Sequence, residues 1–543
     1  MTKHVFKNVK LLATYSDCYQ RFPKSQKEIQ DSFKKLPFLQ TCFFLSKMSA
    51  MSNEKLEKEE KFIKSIYFNE LLKYNPDIED TSKIYFRKSL MDNQLFTQRG
   101  ILQMYKYLFA HGDYLNSQTI SKVDFFRKIV AIALRINDTL SSFNNEKEII
   151  ADIFTNGVFS SKDSFKDALA RTHYVYTVIS QDKEYYYTKD FLDIGSDFKK
   201  KYGYSIKDYI AAWFSLILYF DKNTRIDWAN NAEYYKSTKF YPTIKKILSE
   251  EAQDIHMYKR FCENSITKTK VWDSSEFISK PFIFINENKD FIPVSVYLMK
   301  KEFFNRLFYK VRDVYPKKDT RFLSFFGKPY EIYAQNLLEE SINHDLNYQY
   351  SKSFRYGPKR CNESPDIMLR FNDRLLVIEV KSFRLSYNTV YNSTVTTVKE
   401  DIEKLVIDPL IQSTQRVKEM YEYEVDFVAN VKEIDFIVIG NGSIPKINSH
   451  KEMIKQRIES HFGKLSAEVK SYNYFNINEF EYFCRLIERR KPFFRALERY
   501  SGDTELFENF FNFLKHNSYS LKRPKILDRL FNTAIDDIKK TYF

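Results

Sequence analysis

The spacing of hydrophobic residues predicts that the first half of the chain is mostly helical. Apolar residues recur at helical intervals in Asn53–Tyr74, Ser121–Leu140 and Ser205–Phe220, which is the pattern of helices with a buried face. His173–Tyr187 is an exception, because two β-prone runs flank Gln-Asp-Lys and predict a β-hairpin. A helical region that contains one hairpin is therefore expected over residues 1–275.

Strands become more frequent after residue 275. Lys280–Leu298 has two apolar runs around Asn-Glu-Asn-Lys-Asp and predicts a second hairpin, with a connecting helix from Met299 to about Val314. Leu323–Gly440 then reads as helix, strand, strand, strand, helix and strand. The predicted elements are, in chain order, Phe326–Ile342, Asn347–Phe354, Asp366–Phe371, Arg374–Ser382, Thr396–Tyr423 and Ile434–Gly440.

The predicted fold class is a multidomain α+β or α/β protein. Four consecutive segments are expected: a mostly helical N-terminal region over 1–275, the hairpin and connecting helix over 276–310, an α-β-β-β-α-β core over 311–470, and a helical basic tail over 471–543.

Composition narrows the range of partners. The 86 Lys and Arg residues exceed the 71 Asp and Glu residues, for a formal net charge of +15, and such a charge favours a polyanion such as nucleic acid. A lysine-rich composition explains part of this charge by itself. The five cysteines are widely spaced and form no CxxC pair, which argues against a zinc knuckle or a disulfide framework and fits a cytoplasmic protein.

Two further classes of protein are disfavoured. The longest apolar stretch, Tyr209–Phe220, is too short to span a bilayer, so no membrane association is expected. Gly327-Lys328 lacks the upstream glycine and the following Ser or Thr of a P-loop, so no ATP-driven motor is expected in this chain.

Acidic and basic residues are expected together at the end of the most apolar strand. Arg374–Ser382 contains Leu-Leu-Val-Ile, a run typical of a strand buried on both faces. Because strand residues alternate between faces, Glu379 and Lys381 point the same way. Asp366 opens the preceding strand and can lie alongside them through the Asn372-Asp373 turn.

This grouping suits metal-assisted hydrolysis of a phosphodiester. A divalent cation relieves the repulsion between two carboxylates, and Mg²⁺ typically binds one or two carboxylates together with phosphate oxygens and water. Bound metal lowers the pKa of its water, and Lys381 can orient that water or neutralise developing charge. The alternative is that Glu379 and Lys381 form an ion pair that only stabilises the end of the sheet.

Pro365-Asp366, followed after twelve residues by Glu379-Val380-Lys381, resembles the motif of the PD-(D/E)xK nuclease superfamily. The resemblance covers about residues 327–440, and the predicted α-β-β-β-α-β order is similar to that of the superfamily. It implies a restriction-endonuclease-like core in which Asp366 and Glu379 bind Mg²⁺ or Mn²⁺ and Lys381 takes part in catalysis.

Two more residues resemble supporting positions of the superfamily. Glu331 resembles the acid on its first helix, with Glu339 and Glu340 as weaker rivals. Gln412 resembles the glutamine that several branches place near the metal, with Gln415 as the alternative. On a purely structural interpretation, Glu331 stabilises the first turn of a helix and Gln412 lies on a helix surface.

Nucleic-acid contacts are expected just before the motif. Tyr348–Arg360 is both basic and aromatic, and such residues bind phosphates and stack on unpaired bases. An ordinary strand and loop in a lysine- and tyrosine-rich chain is the alternative. The residues predicted to bind nucleic acid are Lys352, Arg355, Lys359 and Arg360.

The predicted function is that of a Mg²⁺-dependent endonuclease. The resemblance favours DNA over RNA, and the association of similar cores with phage defence suggests a bacterial antiviral role. Many relatives pair subunits to cut two strands, so a homo-oligomer or a partner subunit is compatible with this prediction. The alternatives are a non-cleaving nucleic-acid-binding protein with a degenerate nuclease fold, and a sensor whose N-terminal half carries the function.

Overall fold

A computed structural model shows a mixed α/β protein with a helical N-terminal region. The chain divides into two compact units, of which the first comprises 1–148, 208–306 and 541–543 and the second comprises 149–207 and 307–540. This division is discontinuous in sequence and so differs from the four consecutive segments predicted above. The structure describes residues 11–116, 118–141, 164–185, 190–222, 228–267, 273–342, 345, 347–386, 389, 394–444, 446, 448–502 and 509–542.

The helices of the described residues lie along the whole chain. None of them is both long and apolar enough to cross a membrane. Their bounds are α1 Tyr15–Tyr19, α2 Gln26–Lys34, α3 Phe38–Ala50, α4 Asn53–Tyr74, α5 Asp80–Asp92, α6 Gln98–His111, α7 Lys122–Ser141, α8 Phe165–Thr177, α9 Ile194–Tyr202, α10 Ile206–Lys222, α11 Tyr241–Glu251, α12 Ile255–Thr267, α13 Ser275–Ser279, α14 Val296–Lys301, α15 Phe303–Arg312, α16 Arg321–Ile342, α17 Val395–Ile402, α18 Asp408–Glu422, α19 Asn448–Phe462, α20 Ile477–Glu488, α21 Phe493–Gly502, α22 Phe510–His516 and α23 Lys525–Tyr542.

A π-helical turn, Glu403–Ile407, joins helices α17 and α18.

Strands are concentrated after residue 250. The strand bounds are β1 Ala252–Asp254, β2 Phe282–Phe284, β3 Phe291–Pro293, β4 Gln349–Lys352, β5 Arg355–Tyr356, β6 Asn362–Glu363, β7 Ile367–Phe371, β8 Arg374–Val380, β9 Glu433–Gly440 and β10 Glu468–Asn476.

Most elements predicted in the first 310 residues are present. The three predicted helices correspond to α4, α7 and α10. β2 and β3 form the antiparallel hairpin predicted over Lys280–Leu298, and β1 adds to β2 in parallel. The helix predicted from Met299 to about Val314 is present as α14 and α15, with a break at Glu302.

The hairpin predicted over His173–Tyr187 is wrong. His173 lies inside α8, and the described residues that follow form short 3₁₀ turns at Ile179–Gln181 and Lys183–Tyr185. The last two residues of the prediction, 186 and 187, lie outside the described part of the chain.

Packing inside the second unit explains the helix. Arg171 on α8 lies 3.2 Å from a carboxylate oxygen of Glu481 on α20, and both side chains are buried. Tyr176, on the same helix, is fully buried and packs against Phe326 with ring centroids 5.3 Å apart. These contacts stabilise the segment as it lies in α8 and outweigh its weak local β preference.

The second unit contains a five-stranded mixed sheet in the order β10-β9-β8-β7-β4. β4, β7 and β8 are antiparallel neighbours, whereas β8, β9 and β10 run parallel to one another. β8 and β9 are buried along nearly their whole length, and for β8 the Leu-Leu-Val-Ile run predicted this burial. Apart from the short β5–β6 hairpin, the described elements from α16 to β9 follow the order α-β-β-β-α-β, where α17, the π-helical turn and α18 count as one helical segment.

Helices pack against this sheet. The helical segment from α17 to α18 contributes Leu410 and Val417 to a buried cluster that also contains Leu375 and Val377 of β8. α16 reaches the end of β9, where the Tyr330 hydroxyl donates a hydrogen bond to the backbone carbonyl of Gly440 at 3.1 Å. The end of the sheet where β7 begins and β8 ends therefore lies close to both α16 and α18.

α16 is longer than the sequence predicted. It begins at Arg321, five residues before the predicted start at Phe326, and Pro329 lies inside it. Glu331 is therefore ten residues from the first residue of the helix. The helix dipole acts mainly within the first turn of a helix. Stabilisation of the helix start therefore does not explain the presence of a glutamate at position 331.

β10 was not predicted. Eight of its nine residues pair in parallel with the full length of β9, with a bulge at Lys470. The segment 471–543, predicted to be a helical tail, therefore begins within a strand. The sequence of β10 alternates polar and apolar residues only loosely, so the two-residue period that identifies a strand is weak in this edge strand. From Ile477 onward the described residues form α20–α23, as the predicted helical tail requires.

Candidate functional site

The β7–β8 hairpin brings the first two predicted residues together. Ile367 pairs with Ile378 in the antiparallel register, so Asp366, just before β7, lies beside Glu379 near the end of β8. The backbone N–H of Val380 donates to Asp366 Oδ2 at 2.7 Å. Asn372 has a φ of 55° in the connecting turn, a conformation that asparagine tolerates well.

Lys381 lies at the same end of the sheet. Its Nζ is 2.8 Å from Glu379 Oε1 and donates to Gln412 Oε1 at 3.0 Å. Gln412 projects from α18, whose Pro409 stands in the first turn after the π-helical segment. The structure thus brings Gln412 to the site, whereas Gln415 binds Glu419 on the exposed side of the helix.

Glu331 reaches the site from α16. Its Oε1 accepts hydrogen bonds from Lys328 Nζ at 2.7 Å and from Gln335 Nε2 at 2.8 Å. Gln335 Nε2 also lies 3.2 Å from the backbone carbonyl oxygen of Asp366. Glu331 is therefore linked through Gln335 to the backbone of Asp366, a link that the sequence analysis did not find.

The rivals of Glu331 on the same helix lie elsewhere. Glu339 forms an ion pair with Lys352 at 2.8 Å, and Glu340 forms one with Arg529. Neither of these carboxylates is linked to Asp366 by these contacts, whereas Glu331 is linked to it through Gln335, so Glu331 is the α16 acid that lies at this site.

Arg416 is a site residue that the sequence analysis missed. Its Nη1 lies 3.2 Å from each carboxylate oxygen of Glu379 and 3.8 Å from Asp366 Oδ1. On the outer side, Nη2 lies 3.7 Å from Glu363 Oε2. A signal was present, because Arg416 follows Gln412 by four residues and residues at this spacing share a helix face.

Glu379 is fully engaged by these neighbours. Its side chain is only 1% exposed and contacts Lys381, Arg416 and the Ser413 hydroxyl, which donates to Oε2 at 3.2 Å. The ion pair considered as a structural alternative for Glu379 and Lys381 is therefore present. This ion pair also lies next to a third charged group, because Glu379 and Lys381 both interact electrostatically with Asp366, which a simple sheet-end ion pair lacks.

Asp366 shows the effect of the crowded negative charges. Burial raises the pKa of the Asp366 carboxyl well above its ordinary range, and the charges of Glu379 and Glu331 raise it further. The hydrogen bond from Val380 and the charge of Lys381 lower the same pKa, but do not offset the increase. The ionised form of Asp366 is thus disfavoured, and an additional cation nearby would stabilise it.

The donor set fits a divalent cation that prefers oxygen. Asp366, Glu379 and Glu331 offer only carboxylate oxygens, which are the protein ligands of Mg²⁺ and Mn²⁺. Among the residues that the structure describes, no three His, Cys, Asp or Glu side chains are already arranged around a common metal position. The chemistry of the residues therefore suits the cation, while Arg416 and Lys381 hold the Glu379 oxygens in the present arrangement.

The predicted nucleic-acid contacts surround the β5–β6 hairpin. Arg355, Lys359 and Arg360 are exposed, and the last two have φ values of 55° and 52°. The Tyr356 hydroxyl donates to the backbone carbonyl of Arg416 at 3.1 Å, which anchors the hairpin to α18. Lys352 differs from the others because Glu339 neutralises it.

Comparison with known proteins gives no assignment. The sequence matches no protein-family model, and no curated protein shows a significant match.

Proposed function

We propose that this protein is a metal-dependent endonuclease with a restriction-endonuclease-like core, and that DNA is its substrate. The observation that carries the proposal is the convergence of Asp366, Glu379 and Lys381 at one end of a buried β-hairpin. Glu331 and Gln412 join the group from two different helices. A bacterial antiviral role is proposed from the sequence resemblance alone.

Each residue has a distinct part in the proposed reaction. Asp366 and Glu379 would hold Mg²⁺ or Mn²⁺, which when bound activates water and neutralises phosphate charge. Lys381, held by the Gln412 oxygen, orients the attacking water and stabilises the negative charge that develops on the phosphate. Glu331 fixes Gln335, and Gln335 in turn positions the backbone of Asp366.

A second candidate function is non-cleaving binding of nucleic acid. One specific observation favours it: Glu379 is almost completely buried and is paired with Lys381 and Arg416. In that case the paired carboxylate is a structural feature, and the exposed cations of the β5–β6 hairpin carry the function.

A cleavage assay distinguishes the two. Plasmid, linear duplex, single-stranded DNA and RNA are incubated with Mg²⁺, Mn²⁺ or EDTA. The wild type is compared with Asp366→Asn and Lys381→Met. The matched controls are Asp373→Asn, in the turn at the opposite end of the same hairpin, and Lys432→Met, whose side chain pairs with Asp373.

The endonuclease proposal expects metal-dependent cutting that both site variants lose and both controls keep. Loss of activity should exceed about a hundredfold, since even residues that only support a metal ligand contribute about 10–100-fold. Cutting that survives Asp366→Asn would contradict the assignment of the site. No cutting of any substrate, together with salt-sensitive binding by every variant, would favour the non-cleaving function.

A further inference from the structure

We infer that Arg416 is a further functional residue of this site. Its guanidinium holds the Asp366 and Glu379 carboxylates when no divalent cation is bound. A divalent cation displaces the guanidinium, which then binds the substrate phosphodiester. The inference rests on the proposed function in that it requires a cation to bind this carboxylate pair. It adds to that proposal one functional residue, Arg416, and a step in which the divalent cation replaces the Arg416 guanidinium at the carboxylates.

The distances show that Arg416 and a cation bound here would contact the same carboxylate oxygens. Arg416 Nη1 is 3.2 Å from both oxygens of Glu379 and 3.8 Å from Asp366 Oδ1, so it faces the gap between the carboxylates. Mg²⁺ binds carboxylate oxygens at about 2.0–2.1 Å. A cation held by Asp366 and Glu379 would therefore compete with Nη1 for these oxygens, and binding of one must weaken binding of the other.

Lys381 is less suited to this exchange. Its Nζ is tied to Gln412 Oε1 at 3.0 Å as well as to Glu379, so it has a fixed neighbour besides the carboxylate pair. The corresponding second contact of Arg416 is Glu363, at 3.7 Å and more than half exposed. That contact lies on the outer side of the guanidinium, toward the β5–β6 hairpin, and allows the side chain to swing outward.

The outward direction is the one in which a phosphodiester is expected. The backbone of Arg416 is joined to the β5–β6 hairpin through Tyr356, and that hairpin carries the exposed cations Arg355, Lys359 and Arg360. A guanidinium has the geometry to bind two phosphate oxygens at once, and it keeps its charge at all working pH values. Displacement therefore delivers a permanent positive charge toward the expected position of the nucleic-acid backbone.

The test measures cation binding by the full-length protein without nucleic acid. Titration calorimetry with Mn²⁺ compares the wild type, Arg416→Met and Asp366→Asn. Arg370→Met is the matched control, because Arg370 also lies in the sheet region but contacts backbone carbonyls instead of carboxylates. We expect Arg416→Met to bind Mn²⁺ at least about tenfold more tightly than the wild type, since a charge-assisted contact no longer competes. Arg370→Met should leave the affinity unchanged.

The outcomes separate this inference from the proposed function. If the wild type binds Mn²⁺ through Asp366 but Arg416→Met binds with equal or lower affinity, the displacement is wrong and the endonuclease proposal stands. If neither the wild type nor Arg416→Met binds Mn²⁺, both fail. Binding of Mn²⁺ by Arg416→Met but not by the wild type would support the inference strongly.

Cleavage tests the second part of the inference, in which the displaced guanidinium binds the phosphodiester. Tight Mn²⁺ binding together with weakened cleavage by Arg416→Met would support this part. Unchanged cleavage would overturn it.

A measurement on the unaltered protein covers the case in which Arg416→Met does not fold. Phenylglyoxal modifies accessible arginines, and peptide mass spectrometry locates the products. Modification of Arg416, whose side chain is 17% exposed, should increase when Mn²⁺ is added, while modification of Arg370 should not. Modification of Arg416 that does not respond to Mn²⁺, at concentrations shown to bind, would overturn the displacement.

Discussion

Arg416 and Glu379 are 37 residues apart in the sequence, yet one guanidinium nitrogen lies 3.2 Å from each oxygen of the carboxylate. Lys381 forms an ion pair with the same carboxylate, and Lys328 forms one with Glu331. The negative charges of the site are therefore offset by the positive charges of neighbouring side chains. We infer that a divalent cation enters this group by replacing some of that charge. The consequences are specific enough to be measured.

The first prediction concerns stability and pH. An acid whose pKa is higher in the folded than in the unfolded protein binds more protons when folded, so the free energy of unfolding falls as pH rises through the window between the two pKa values. For Asp366 this window begins near the ordinary value, about 3.9, and extends to its raised pKa. Asp366→Asn removes the effect, since the neutral amide oxygen can still accept the hydrogen bond from Val380.

The measurement is urea denaturation of the wild type and Asp366→Asn in EDTA across this pH range. The variant should gain stability relative to the wild type as pH rises, and the gain should level off above the raised pKa. Asp373→Asn, at the other end of the hairpin, should show no such trend. A gain that shrinks with increasing pH would mean that Asp366 is stabilised as a carboxylate.

The second prediction compares two glutamines on α18. Gln412 accepts a hydrogen bond from Lys381, whereas Gln415 donates to Glu419 at the surface. Gln412→Ala should lower the cleavage rate about tenfold or more, because loss of a supporting partner of a metal-site residue typically costs about 10–100-fold. Gln415→Ala should retain full activity. Equal rates for the two variants, measured under single-turnover conditions, would show that the Gln412 contact is not used.

The third prediction compares two acids on α16. Glu331 is connected to Asp366 through Gln335, while Glu339 is paired with Lys352 outside the site. Glu331→Gln should weaken Mn²⁺ binding about tenfold, in the range typical of residues that support metal ligands. Calorimetry should give Glu339→Gln the affinity of the wild type. The assignment would be reversed if Glu339→Gln were the weaker binder.

The fourth prediction concerns the β5–β6 hairpin. Lys359 has a left-handed backbone conformation that glycine adopts freely, so Lys359→Gly removes the charge without backbone strain. Fluorescence anisotropy of labelled DNA in EDTA should show weaker binding, with the slope of log affinity against log salt reduced by about 1. Lys432→Ala, which removes an exposed lysine at the other end of the sheet, should leave the slope unchanged. A reduced slope for Lys432→Ala alone would place the nucleic-acid contact at the opposite end.

The sequence was a good guide where local pattern and burial agree. The Leu-Leu-Val-Ile run defined β8, the Asn372-Asp373 turn defined the hairpin, and the alternation of strand residues placed Glu379 and Lys381 on one side. The prediction failed at His173–Tyr187, where α8 continues to Thr177 and short 3₁₀ turns follow. The tertiary contacts of α8, such as that of buried Tyr176 with Phe326, outweigh the local β preference of this segment.

By itself, then, the sequence determined the hairpin and the convergence of Asp366, Glu379 and Lys381, because turn chemistry and the two-residue period of a strand act over short distances. The tertiary structure alone decided the rest of the site. It selected Gln412 over Gln415 and Glu331 over Glu339, and it brought Arg416 to the carboxylates. These choices depend on how α16 and α18 are rotated against the sheet, and that rotation is set by the packing of many side chains from distant parts of the chain.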